Sequence, residues 1–584
     1  MLLFLLTSLL QLPASDSLLT PFEKGNGNQT CTYEECINYY ELLTKRFDIC
    51  KLETFGTTSI GKPLHLFTID KDKKFTRTSA TEKNKVVLFI NNGIHPGEPD
   101  GIDASMMFAR DVLMKGELRA LLNHCIIVII PAYNISGMLN RNSTLRVNQN
   151  GPESYGFRAN RQYLDLNRDF IKCDSKEALT FNEMFSLWSP EIFLDTHVTN
   201  GADYQYVMTY VPTHPDKLHP LLANYERVQL IPELEKRMKD AGFEMTPYVN
   251  LKSTTPDSGI ISFFDSGRYS TGYAAMHNCI GFMPESHMLK PYKQRVTATY
   301  TFLLQTLNIL YQDADIIVTN KRKADDEVKK QKEFVLQWQL NEKKVSTIPF
   351  KGYEAEYSLS SVTGLKQIHY NRSKPFTKDV FYYANYIPRK STNKPIAYLI
   401  PQCYEAIIER LQKNGVLLQQ VKKDTSIELS TIRISQFSTS PHPSEGHYPH
   451  EEVDYSLSNK MQVQIFKGDC IVLCNQSLNH YIIETLEPDA EDSFFTWNFF
   501  DATMQRKEYF SAYVFEPLAE TILRDNMELR NEFEQKKKTD TIFAGDAHLQ
   551  LKFIYERSQY AEPWYKIYPI YRLNSESELN SIIH

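Results

Sequence analysis

The stretch Val86-Val-Leu-Phe-Ile-Asn-Asn-Gly-Ile-His-Pro-Gly-Glu98 decides how the first half of this chain is read. Val86 to Ile90 is a short apolar run closed by a turn signal, Asn91-Asn-Gly93, the pattern of a buried strand. His95 and Glu98 follow at once, and their nitrogen and oxygen donors suit zinc. Pro96-Gly97 shapes the loop between them so that both side chains can converge. By itself His-x-x-Glu is weak, because a chain with 15 histidines meets it about once by chance. Its weight comes from the surroundings.

Upstream, Thr32-Tyr-Glu-Glu35 is a capping box that opens a helix to about Arg46. Downstream, apolar runs alternate with amphipathic stretches. They predict a helix from about Gly101 to Lys115, a strand from Ile126 to Ile130 and a helix from Ser175 to Leu187. Strands follow from Ile192 to Asp195 and from Tyr206 to Tyr210. The alternation predicts an α/β fold with a mixed, mainly parallel central sheet flanked by helices. In such folds ligands sit beyond the carboxyl ends of the strands. His95, His197 and Glu285 each follow an apolar run, so the pattern predicts that they meet there.

A helix from about Pro291 to Tyr311 closes this region. The 584 residues, 42% of them hydrophobic, exceed one ordinary domain. We divide them into a catalytic domain over 30–315, a charged helical connector over 316–346 around Lys321 to Lys330, and an α+β accessory domain over 347–584. The last contains strand-like runs from Val380 to Ile387, Ile427 to Phe437 and Met461 to Cys474, and helices from Tyr404 to Asn414 and Pro517 to Lys538. Within it, His442-Pro-Ser-Glu-Gly-His447-Tyr-Pro-His450-Glu-Glu452 crowds three histidines and three glutamates together. It reads as an exposed polar loop rather than a second metal site, because no regular element spaces these side chains.

The net charge of -6, from 65 basic and 71 acidic residues without a Lys/Arg-rich stripe, excludes nucleic acid as a partner. Residues 1–14 are apolar and end in a small residue, which reads as a signal peptide lacking its usual basic start. The stretch is too short to span a bilayer, and no later run is long enough. The expectation is an exported chain, secreted or periplasmic. Nine cysteines form no Cys-x-x-Cys pair. A disulfide among Cys31, Cys36 and Cys50 fits an oxidising compartment. Cys125 and Cys279 lie in apolar runs as small buried hydrophobes.

Together, His95-x-x-Glu98, Asp165-Leu-Asn167-Arg168, Asp195-Thr-His197 and Pro284-Glu285 resemble the motifs of the zinc metallocarboxypeptidases related to carboxypeptidase A. The resemblance covers about residues 30 to 315, and the long C-terminal extension is similar to that of bacterial exported members. It implies one Zn2+ per chain, held by His95, Glu98 and His197. It also implies Glu285 as general base toward the zinc-activated water, and Arg146, with Arg141 as a rival, stabilising the oxyanion. Asn167 and Arg168 would grip the terminal carboxylate of a peptide or protein. Asp165 would orient the ring of His95. Counting back from Glu285 to the family's active-site tyrosine reaches Phe263, so Tyr269 or Tyr273 would substitute. Arg268, beside the pocket position Ser270, points to acidic C-terminal residues. The implied function is a metallocarboxypeptidase. Two rivals fit the same layout: a zinc amidohydrolase of the aspartoacylase or desuccinylase type, and a non-catalytic relative that only holds peptides.

Overall fold

The structure is a computed structural model that describes residues 18–458 and 460–583. The expected signal peptide over 1–14 lies outside the described residues. A mixed sheet runs in the order Cys50–Thr57, Pro63–Ile69, Cys125–Ile130, Val86–Asn91, Ile192–Asp195, Ile280–His287, Met208–Pro212, Met245–Pro247. The short strand His197–Thr199 pairs alongside Ile280–His287. Val86–Asn91 is parallel to both neighbours, and Ile280–His287 is parallel to Ile192–Asp195. Antiparallel pairing is found between the first two strands, where the second meets Cys125–Ile130, and between Ile280–His287 and Met208–Pro212. Every residue of Val86–Asn91 and Cys125–Ile130 is buried. That explains why these strands read as unbroken apolar runs: helices cover both faces.

The opening helix Tyr33–Arg46 begins with both hydrogen bonds of the Thr32/Glu35 capping box. Asp100–Met114 packs against the sheet and against Tyr292–Val328. A Cβ on Gly101 would lie 1.9 Å from Thr196 Oγ1, so only glycine lets that helix start so close to the strand ends.

Several expected boundaries differ. The helix that closes the sheet does not end near Tyr311 but continues to Val328. Ala314, Ile317, Val318, Ala324 and Val328 are buried at helical spacing along it. The charged stretch after Lys321 is thus the end of this helix, followed by the strand Glu333–Leu340. Lys321 itself is 2% exposed and donates to the carbonyls of His277 at 2.9 Å and Asn278 at 3.3 Å. The helix expected from Pro517 to Lys538 is two, Ala512–Asp525 and Met527–Thr539, because Asn526 caps the second by accepting from Leu529 N. All nine cysteines are free, so the bridge considered among Cys31, Cys36 and Cys50 is not formed; all three are buried.

The C-terminal half adds a long hairpin, Ser346–Leu359 with Lys366–Tyr383, and a four-stranded sheet that includes Ala397–Ile400 and Cys470–Leu473. It also adds a helical group with its own small core around Phe515, Phe533 and Phe543. Much of this half shares one apolar cluster with the central sheet, through Leu411, Tyr481, Phe494 and Trp497. No helix of the described residues is long and apolar enough to cross a membrane.

Candidate active site

The site is assembled by strand register. Asn91 and Asp195 are partners on parallel strands, and Asn91 Nδ2 donates to Asp195 Oδ1 at 3.0 Å. Glu285 and His197 are likewise partners, so their side chains leave the sheet on the same face. Gly93, at φ +69°, turns the chain after Val86–Asn91, and Glu98 N donates to His95 O at 2.8 Å to close the His95-to-Glu98 loop.

His95, Glu98 and His197 are all buried, and one donor atom of each lies within 4.8 Å of the others. Each histidine has a carboxylate behind it. His95 Nε2 is 2.8 Å from Asp165 Oδ1, and His197 Nε2 is 2.9 Å from Asp195 Oδ2. These bonds leave both Nδ1 atoms facing Glu98, at 3.4 Å for His95 and 3.3 Å for His197. His95 Nδ1 is buried without a hydrogen-bond partner. Such an atom is costly unless a cation meets its lone pair. Two imidazoles oriented by carboxylates, together with one carboxylate, make a donor set that fits zinc. Burial alone would raise the Glu98 pKa, but Arg146, His95 and His197 outweigh it and hold the carboxyl well below its usual range.

A cavity of about 170 Å³ opens over this cluster. Glu285, Asn167, Arg168 and Tyr269 line it. Burial, the largest cause, pushes the Glu285 carboxyl up to about 8 against the pull of His197. The Arg168 guanidinium lies 4.2 Å from the Tyr269 ring centroid, and its Nη1 donates to Asn167 O at 2.7 Å. Among the described residues no carboxylate forms an ion pair with Arg168. Asn167 is fixed by accepting from Ser270 N at 3.2 Å. Asp165 Oδ1 also accepts from Asn167 N at 2.9 Å, so one carboxylate serves both the His95 ring and the turn that carries Asn167.

Other candidates lie elsewhere. Tyr273 is fully buried in the helix Ser270–Met276, with its hydroxyl donating to Asn414 Oδ1 at 2.5 Å; it is a core residue and does not face the cavity. Arg268 is held outside the cavity by Asp492, with Nε 2.7 Å from Oδ1, and by the Trp497 ring. A guanidinium committed to a buried carboxylate has no reason to select acidic substrates. Arg146 reaches Glu98 Oε1 at 3.0 Å but is not among the residues lining the cavity. Arg141 turns away to the carbonyls of Cys31 and Ser154.

Sequence reading missed Arg158 and Tyr248, both of which line the cavity. Arg158 bonds Asp165 Oδ2 through Nε at 3.0 Å and lies 3.5 Å from Glu98 Oε1. Its place seven residues before Asp165, in the loop already holding the two arginines weighed, was the available signal. Tyr248 had none, since it sits in an irregular segment far from any motif. Phe263, where the count for a tyrosine had ended, stands beside it with ring centroids 5.9 Å apart.

The family model described as zinc carboxypeptidase matches residues 37–191, which include His95, Glu98 and the Asp165-to-Arg168 turn but stop short of His197 and Glu285. Carboxypeptidase 2 of Trichophyton rubrum is 21% identical over 430 residues, 70% of this chain and 73% of that protein. Among solved structures, a metallo-carboxypeptidase from Burkholderia cenocepacia is 15% identical over 48% of this chain and 70% of that one, with a TM-score of 0.36. Carboxypeptidase A from Helicoverpa armigera is 14% identical over 49% and 74%, also at 0.36. Over residues 37–191 the chain is similar to the zinc carboxypeptidases, and over 430 residues to a carboxypeptidase.

Proposed function

We propose that this chain hydrolyses the C-terminal peptide bond of peptides or proteins. The observation that carries this reading is Arg168: a half-buried arginine with no acidic partner among the described residues, on the same cavity as the His95, Glu98 and His197 cluster. An unpaired guanidinium fork beside a hydrolytic centre suits a free carboxylate, and Asn167 next to it adds an amide.

His95, Glu98 and His197 would hold zinc, with Asp165 and Asp195 fixing the imidazoles. When bound, zinc supplies a Lewis acid and brings the pKa of water down to about 7. Glu285, basic because it is buried, accepts a proton during attack and returns it to the leaving amine, a role worth about 10²–10⁴-fold. Arg158 faces the cavity and is better placed than Arg146 to stabilise an oxyanion. Tyr248 and Tyr269 bring two phenol side chains to the lining of the same cavity. The test is a mass-spectrometric time course on a mixed pool of free-carboxyl and C-terminally amidated peptides with zinc-loaded protein. Ladders that shorten one residue at a time from free carboxyl ends only are expected. Cleavage of neither set would overturn the reading.

A further inference from the structure

The loop with three histidines, expected to be an exposed polar segment, reaches the active site. It connects the paired strands Ile432–Thr439 and His450–Leu457. At its tip, Ser444 N donates to His447 O at 2.7 Å and His447 N donates to Ser444 O at 3.0 Å, closing a two-residue turn. Both central residues have positive φ, +49° at Glu445 and +85° at Gly446. Such turns favour Asn, Asp or Gly, and a glutamate in the left-handed region is out of place. Residues held in this way persist where the surroundings fix them, and they cluster at functional sites. What fixes Glu445 is visible: its Oε2 accepts from the backbone N of Asp165 at 2.7 Å.

Asp165 starts the 3-10 turn Leu166–Arg168, and its side chain faces the His95 ring, Asn167 N and Arg158. One hydrogen bond from the C-terminal half therefore pins the residue on which the His95 ring, the Asn167–Arg168 turn and the cavity arginine all depend. The same tip is anchored a second time. His447 Nε2 is 2.8 Å from Asp174 Oδ2 and its Nδ1 is 2.6 Å from Asn498 Oδ1.

We infer that Glu445 is a positioning residue of the active site, and that the hairpin 439–450 completes the catalytic half by fixing the Asp165-to-Arg168 turn. This rests on the peptidase reading for the activity it modulates, though not for its effect on metal binding. The carboxylate touches no reacting atom; it acts through Asp165.

The test uses the full chain with Glu445→Gly, Glu445→Ala and Glu445→Gln. Three quantities are read: zinc affinity by competition with a chromogenic chelator, kcat and KM on a free-carboxyl peptide, and the melting temperature. Glu445→Gly suits the left-handed φ, so its melting temperature should hold or rise. Its zinc affinity should fall about three- to tenfold, below the range for losing a direct partner of a metal ligand, and its KM should rise. Glu445→Ala should show the same losses. Glu445→Gln keeps an acceptor oxygen and should stay within about twofold of the parent, by the same hydrogen-bond argument. Zinc affinity and KM unchanged in Glu445→Gly would overturn the inference. So would losses that track a falling melting temperature in that variant, since a merely structural hairpin behaves in that way. A parent chain that cleaves no peptide would sink the proposed function instead, while the zinc competition would still decide the role of Glu445.

Discussion

The inner and outer walls of the cavity are built differently. His197 and Glu285 are register partners on parallel strands, and His95 and Glu98 lie on the short loop that leaves the fully buried strand Val86–Asn91. Tyr248, Phe263, Tyr269 and Arg158 come from loops. Several of those loops are steadied by the C-terminal half. Ile260–Ile261 joins the long hairpin as a parallel strand through Tyr382 and Tyr383, Phe264 stacks on Tyr386 with ring centroids 3.9 Å apart, and Arg268 is tied to Asp492. His197 and Glu285 are thus held by the sheet itself, whereas much of the remaining lining is carried by loops that depend on distant chain.

The largest effects should come from the inner wall. Glu285→Gln keeps shape and removes the base; kcat should drop about 10²–10⁴-fold while metal content by mass spectrometry stays that of the parent. Retained activity would remove Glu285 from the chemistry. On the outer wall, Arg158→Gln should lower kcat about 10²–10³-fold, and Arg146→Gln markedly less. The opposite order would hand the oxyanion role back to Arg146.

A smaller effect tests whether the two halves share a core. Tyr273→Phe removes the hydroxyl that reaches Asn414, which itself bonds the Tyr481 hydroxyl at 2.9 Å. Leaving these buried groups short of a partner costs about 1–3 kcal/mol. A lower denaturation midpoint with unchanged kcat/KM is expected. A tenfold loss of kcat/KM at unchanged stability would place Tyr273 back at the substrate.

These contrasts account for what could be read in the sequence. The strands of the sheet and the cluster of His95, Glu98 and His197 were legible because a strand buried on both faces is an apolar run whose end marks where such side chains gather. The relation of Asp165 to His95, 70 residues earlier, was legible only through the family resemblance. Tyr248 and Arg158 were not, since nothing in a loop's composition says which side chain faces a cavity. The end of the closing helix was misjudged because its polar residues masked the buried positions Ala314, Ile317, Val318 and Ala324. The His442-to-Glu452 loop was read as solvated for a similar reason. Glu445 and His447 find their partners at Asp165 and Asp174, more than 270 residues away in the chain.

His447 offers the finest probe of that distant contact, through pH. Burial alone would lower its pKa, but the bonds to Asp174 and Asn498 outweigh this and raise it, while Lys172 opposes them. Both ring nitrogens face oxygens, an arrangement that the imidazolium, with two N–H donors, satisfies. A histidine whose pKa is raised on folding stabilises the folded chain fully below its unfolded value, about 6.5, and loses that contribution as pH rises through the folded value. Asp174 has the opposite sign: its pKa is lowered by His447 and Lys172 against the effect of burial. Its share is present above about 3.9 and lost as pH falls through the depressed value. The contact should therefore contribute most between these limits. The gap in melting temperature between the parent and His447→Gln should be widest between about pH 3.9 and 6.5 and should narrow as pH rises through the raised folded value of His447. A gap independent of pH would mean that His447 holds the hairpin by packing on Phe499 rather than by charge.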